Sequence, residues 1–336
     1  RTRTNSPSGP ISDIDTFTYD ALGRTLSAES GRYGNRVDRT YDAAGRLITE
    51  SLTAGEQTYT VTQTYDAAGQ LVGQTYPDGS QVDRTYTARG QLQEVKYETD
   101  VAATRVYDAS GRLIEVTYGN GVMASHTYRQ DNLTHGIEIR DGSNGLIDLF
   151  TFTYDENQNK TGESRSGVMA NWGFSTGASG YDRNDRLIAW NRSDAARDQS
   201  WTLTYEGDWD YFKDAGTTQD RAHGPAHELT AIDSTTLTYD AKGNLTTNAN
   251  GDAYTWDFDN RLRTATVSGD LSTYTYDALG RRTSKEVGAA KTLFVSSTQP
   301  LPSSPHAGQV LAQYASGAAP SSPTEKHVFG YYIDEP

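Results

Sequence analysis

The stretch TYDAAGRL, residues 40–47, reads as a hairpin turn. Ahead of it, RVDRTY alternates in the period-two manner of a β-strand. Asp42 suits the first position of a type I turn, and Gly45 suits the fourth, where the backbone needs positive φ. Such a loop closes an antiparallel pair through a glycine bulge. The geometry sets Tyr41 opposite Leu47 and Asp42 opposite Arg46. Tyr–Leu pairs are then expected on one face of the sheet and Asp–Arg pairs on the other. One cross-strand pair contributes only about 0.2–1 kcal/mol, so a lone hairpin gains little.

The motif recurs along the chain. Its aromatic falls at Tyr19, Tyr41, Tyr65, Tyr86, Tyr107, Tyr128, Tyr154, Tyr181, Tyr205, Tyr239 and Tyr276, with Trp256 once in the same place and a worn copy at Tyr314. Up to Tyr276, most gaps are 20–27 residues; the exceptions are 34 (205 to 239) and 17 (239 to 256). A short, sustained period means a repeat architecture. The expected repeat-bearing residues are Tyr19, Asp20 and Gly23; Tyr41, Asp42 and Gly45; Tyr65, Asp66 and Gly69; Tyr107, Asp108 and Gly111; Tyr239, Asp240 and Gly243; and Tyr276, Asp277 and Gly280. A second set of turn signals lies between them, at Tyr33-Gly34-Asn35, Pro77-Asp78-Gly79, Gly119-Asn120-Gly121, Gly251-Asp252 and Gly269-Asp270. Two strands and two turns per repeat make an antiparallel meander. The expected fold is all-β, an elongated, curved ribbon of about twelve to thirteen hairpins. No amphipathic helix is expected.

Departures from the motif keep the turn and change its polar atoms. Copy 86 (YTARGQL) lacks the Asp, and copy 128 (YRQDNL) reads one residue short. In YDRNDRL and WDFDNRL, Asp185 and Asn260 stand in the Gly position; both types tolerate positive φ better than other non-glycine residues. A catalytic motif would hold its polar atoms and let the turn vary.

Composition narrows the function classes. There are 44 acidic against 30 basic residues, a net charge of -14, which repels phosphate backbones and anionic headgroups. Nucleic acid and anionic membranes are therefore not expected partners. With no Cys, there is neither a disulfide framework nor a thiolate metal site. No apolar run approaches the roughly 18 residues of a membrane span. The opening RTRTNSPSGP has no initiator Met and no apolar signal core, and reads as part of something longer. Disorder is a fair reading of a chain only 35% hydrophobic, but regular spacing of its 22 Tyr residues argues against it.

On the residues YDALGR (19–24 and 276–281), YDAAGRL (41–47), YDASGRL (107–113) and YDAKGNL (239–245), the sequence resembles the bacterial YD-repeat, or RHS-repeat, family, related to the repeats of animal teneurins. The resemblance covers residues 16–287. Residues 1–15 read as a linker or preceding repeat. Residues 288–336 read as a degenerate terminal repeat whose GQVLAQYASGA and HVFGYYIDEP resemble the approach to the family's RHS core region. The resemblance implies a coiled ribbon of hairpins forming a shell, with a C-terminal effector enclosed in toxin-bearing members, and a secreted or surface location in bacteria. The family's cleavage residues lie beyond the core region and have no counterpart here, so none is carried over.

Other constellations invite chemistry. GFSTG (173–177) meets the nucleophile-elbow pattern around Ser175, but the elbow needs a following helix and ASGYDRNDRL offers none. His223 and His227 with Glu228 resemble a zinc motif, yet Gly224 and Pro225 oppose the helix and Glu228 lies outside the pair; a decayed repeat turn is the plainer reading, with His227 and Leu229 as a variant of the NRL ending. Glu206, Asp208, Asp210 and Asp214 cluster, as glycosidase carboxylates or weak Ca²⁺ ligands do, although a solvated loop explains them in so acidic a chain. All five Trp residues fall between 172 and 256. Trp190, Trp201 and Trp209 are candidate glycan contacts, against the plainer reading that the rings fill the sheet's inner face. Of the sequons at Asn132, Asn159, Asn191 and Asn244, three coincide with repeat turns.

The reading is a non-enzymatic wall segment with no cofactor and no metal. Its partners are further repeats or the core region of the parent chain, an enclosed effector, or another copy through open strand edges. Carbohydrate binding and a filament are the alternatives.

Overall fold

The structure, a computed structural model, describes residues 3–4, 14–176, 180–192, 197–298 and 308–329. The linker expected at 1–15 lies almost wholly outside these residues, as do Gly177 of GFSTG, Ser193 of the Asn191 sequon and residues 330–336 of the terminal segment. The chain is all-β and antiparallel, with one short 3-10 helix, Ala170–Trp172, among the described residues. It divides into two units: residues 1–100 with 252–336, and residues 101–251.

In the first unit, strands run as a meander from Ile14–Tyr19 to Leu92–Tyr97, each paired with the next. A second meander runs from Ala253–Trp256 to Glu325–Lys326. The two sheets pack face to face. Strand Gln57–Tyr65 buries Tyr59, Val61 and Gln63 in strict alternation, and Gly308–Ala315 buries Leu311 and Tyr314. The Tyr59 and Tyr314 rings lie 4.6 Å apart. Val37, Leu52, Val82 and Val95 from one layer and Leu293 and Val295 from the other complete the core. Each such side chain contributes roughly 1.5–3 kcal/mol on full burial, well above a cross-strand pair. Polar side chains also cross the seam. Gln63 donates to Ser297 Oγ and Thr298 O at 3.0 Å each, and the Tyr59 hydroxyl to Ala318 O at 2.7 Å.

Tyr314 itself is fully buried, and Ala318 N bonds to Ala315 O. That bond is the four-residue closure also made at Asp42, but positive φ falls on Gly317, one place earlier in the turn than at Gly45.

The second unit is a meander from Asp100–Tyr107 to Thr235–Thr236, followed by a short hairpin of Thr238–Tyr239 and Leu245–Thr247. Its buried apolar side chains among the described residues are few: Ala103, Val116 and Leu237. Aromatic and cationic side chains alternate on one face instead. Phe150 pairs with Arg165, Phe174 with Arg192, and Trp201 with Phe212.

Candidate functional site

At Asp42 the turn closes with Asp42 N–H to Arg46 O (2.9 Å) and Gly45 N–H to Asp42 O (3.0 Å), and Tyr41 faces Leu47 across a bulge. The Asp42 carboxylate accepts from the Arg46 amide (2.8 Å) and guanidinium (2.6 Å). The Arg46 amide, and its guanidinium after it, hold the Asp42 carboxyl below the usual range. The same backbone closure recurs at Asp20, Asp66, Asp108, Asp240 and Asp277. Gly23, Gly45, Gly69, Gly111, Gly243 and Gly280 all take φ of 81–89°. Tyr19, Tyr41, Tyr65, Tyr107, Tyr239 and Tyr276 each end the strand before the turn.

The Arg position does more than close its own turn. Arg46 lies 4.9 Å over the ring of Tyr65, the aromatic of the next copy, and its Nη1 donates to Asp66 O at 2.9 Å. Tyr65 donates back to Leu47 O at 3.0 Å. Arg24 covers Tyr41 and reaches Asp42 O, and Arg261 covers Tyr276 and reaches Asp277 O. Gln70 reaches Gly90 O, and Arg186 reaches Thr204 O. The return bond from an aromatic hydroxyl is made by Tyr41, Tyr86, Tyr128, Tyr154, Tyr181, Tyr239 and Tyr276 as well. The expected two-faced arrangement is therefore incomplete: Arg and Tyr meet between copies, and these copies are bolted to their successors.

The glycine has a second reason here besides φ. A Cβ at Gly45 would stand 3.3 Å from Arg24 Nη1, and one at Gly90 3.1 Å from Gln70 Nε2. At three copies whose Gly position carries a side chain, the Arg position before it supplies a partner. Arg112 donates to Asn132 Oδ1 (2.9 Å), Asn159 donates to Asp185 Oδ1 (2.8 Å), and Asp208 Oδ2 lies 2.8 Å from His227 Nδ1. Asn132, Asp185, His227 and Asn260 all take positive φ.

These contacts correct three sequence alignments. Copy 128 is full length: Arg129 N bonds to Leu133 O, and Tyr128 faces Thr134. The copy read at Tyr205 is centred two residues earlier, with Leu203 facing Trp209; Tyr205 sits in the turn, 90% exposed. Residues 223–229 form a complete turn in which His223 faces Leu229 and His227 takes the Gly position, which fills the 34-residue gap. The decayed repeat turn read at HGPAHE is thus a full copy, with His223 in the aromatic position. A further signal was available in the Thr before the Tyr: Thr40 Oγ1 meets Thr49 Oγ1, Thr18 meets Ser27, and Thr255 meets Thr264, each at 2.6 Å.

A second polar centre bridges the layers of the first unit. Glu50, side chain 2% exposed, is 2.8 Å from both Arg39 and Arg281 and accepts the Thr298 amide at 2.7 Å. Burial opposes the charged form of Glu50, but Arg281 and Arg39 outweigh it, and its pKa lies below the ordinary value.

The candidate chemical groups are dispersed. Ser175 is exposed in strand Phe174–Ser175, paired with Gly162 and Asn191. His223 and His227 occupy the Tyr and Gly positions of one turn. Asp208 faces His227, while Asp214 accepts from Gln199 at 3.1 Å. Among the described residues, no three His, Asp or Glu side chains gather to hold a metal ion. No helix is long and apolar enough to cross a membrane among those residues. Trp201, Trp209 and Phe212 pack within 5.5–5.8 Å of one another under Arg221, and Trp190 packs on Phe174 at 4.8 Å under Arg192.

Comparison with known proteins agrees with this geometry. The RHS Repeat family model matches residues 41–81 and 65–102. No curated protein matches the chain. Among solved structures, the chain is similar to TcdB2-TccC3 (15% identity over 94% of this chain and 21% of that one, TM-score 0.61). It is also similar to a TccC3 variant of the Photorhabdus luminescens Tc holotoxin pore (16%, 94% and 21%, TM-score 0.61). TcdB2-TccC3 without its hypervariable C-terminal region matches equally (15%, 94% and 21%, TM-score 0.60). At such identities the likeness concerns the fold. This chain spans about a fifth of the length of the solved chains it matches.

Proposed function

We propose that this chain, whose residues 41–102 match the RHS Repeat family model, is a non-enzymatic wall segment of a larger bacterial protein, secreted or displayed at the cell surface. Its task is mechanical: the repeats enclose or present a C-terminal effector carried by the parent chain. The observation that carries this reading is the bolting of copy to copy through the Arg position. That relation spends the motif's charged groups on stiffening the sheet and leaves them no shared cleft in which to do chemistry. Partners on this reading are further repeats and the core region of the same chain.

Limited proteolysis of the parent protein tests enclosure. The part downstream of the repeats should resist protease while the repeats are folded and become sensitive when they unfold. An effector cleaved freely from the intact protein would overturn it.

Carbohydrate binding is the second reading, and one observation favours it: Trp172 and Trp209 are each 38% exposed, Trp172 beneath Arg197 and Trp209 beneath Arg221. Glycan-array binding that survives Trp190→Ala, Trp201→Ala and Trp209→Ala would remove this role.

A further inference from the structure

We propose that the seam between the two layers of the first unit holds a binding site for a small neutral polyol, of hexose to disaccharide size. The proposal stands independently of the wall reading. A cavity of about 330 Å³ opens between the segment 33–59 on one layer and 275–317 on the other. That volume lies at the lower end of ligand pockets, about 300–1,000 Å³.

Its chemistry is that of hydroxyl recognition. Asn35 is only 5% exposed, and its Nδ2 donates to Tyr276 O at 3.0 Å and to Thr283 Oγ1 at 3.4 Å. Its Oδ1 is buried with no donor among the described residues, and Ser30, its register partner, has an equally unmatched hydroxyl. A buried acceptor left without a donor is destabilising, so the site favours a ligand that brings O–H groups. Thr275 Oγ1 lies 2.9 Å from Thr283 Oγ1 and 2.6 Å from Ser284 Oγ. Hydroxyls in such a relay reverse donor and acceptor roles to suit a ligand that has both. The Tyr33 and Tyr59 rings and Leu293 supply apolar surface for the C–H face of a sugar. At the rim, Glu56 and Lys291 carry opposite charges, which gives no net preference for an anion or a cation.

Because the walls belong to different layers, an occupant ties the two sheets together. Ligand-observed NMR and calorimetry on the whole chain, with glucose, trehalose and glycerol as probes and glutamate and phosphate as charged controls, test the site. Saturable binding is required, since polyols at high concentration stabilise any protein by exclusion. The expected result is saturation by at least one of the three neutral probes. Glu56→Trp, an exposed substitution at the mouth, should weaken it at least tenfold without changing the melting temperature of the free chain, and Lys291→Ala should change affinity less than threefold. The proposal fails if none of the three neutral probes saturates, if only the charged controls bind, or if Glu56→Trp leaves binding intact.

Discussion

Asn159 and Asp185 are joined across 26 residues by an Nδ2–H···Oδ1 bond of 2.8 Å. Each occupies a motif position usually given to another residue, Asn159 that of Arg and Asp185 that of Gly. The pair keeps the link that Arg46 makes elsewhere by reaching a main-chain carbonyl. A charged side chain in the Gly position has been accommodated by an amide before it.

The coupling should be measurable. Asn159→Ala is expected to destabilise the chain by about 1 kcal/mol. In a double-mutant cycle with Asp185→Gly, the two changes should interact by about 0.5 kcal/mol or more. Urea denaturation reads this directly, and strict additivity would show that the bond carries no stability.

The aromatic return bond predicts a contrast between two tyrosines. Tyr65 donates to Leu47 O and also to Gln63 Oε1 at 2.6 Å, and burial pushes its hydroxyl up to about 12. Tyr65→Phe should cost about 1 kcal/mol. Tyr205→Phe should be neutral within about 0.5 kcal/mol, because that ring stands exposed in its turn. Equal effects in chemical denaturation would contradict the shifted alignment of that copy.

Glu50→Gln should be the most damaging of the conservative changes. It leaves Arg39 and Arg281 buried without their shared carboxylate, and breaking such a pair costs about 3–5 kcal/mol. Glu29→Gln, at an exposed carboxylate of the same sheet, serves as the control and should stay within about 0.5 kcal/mol. The pH dependence follows in sign. The folded pKa of Glu50 is depressed, so its contribution is present above its unfolded value, about 4.3, and is lost as pH falls through the folded value. Asp42, Asp108, Asp182 and Asp240, each held low chiefly by bonds from its own turn, act in the same direction.

His227 works in the opposite sense. The Asp208 carboxylate raises its pKa, so the pair stabilises the turn fully below the unfolded value of about 6.5 and loses that contribution as pH rises through the folded one. Hydrogen exchange at Gly224 and His227, corrected for intrinsic rates, should show more protection at pH 5.5 than at pH 8. His227→Asn, which keeps a residue tolerant of positive φ, should flatten the difference. A pH-independent wild type would mean that the ion pair is idle.

Much of this was legible in the letters. The hairpin at 40–47 follows from Asp42 and Gly45 alone, because a turn is decided by residues near in sequence. The bonds from one copy to the next were not legible, since Arg46 and Tyr65 meet only once the strands between them have paired. The alignment failed where it trusted one residue type: Leu203 holds the aromatic position without being Tyr, whereas the turn at His223 was legible from His227 and Leu229 at its end. The packing of Tyr59 on Tyr314 was equally hidden, for no local pattern announces a partner 255 residues away.

The forward reach of the Arg position also bears on how such a gene changes length. A copy that begins with Gly45 or Gly69 accepts any predecessor ending in Arg or Gln, so tandem duplication of its coding segment inserts a unit without a misfit. The copy containing Asp185 needs a donor before it, as Asn159 is, so an insertion that ends in an apolar residue such as Leu133 would lose the link.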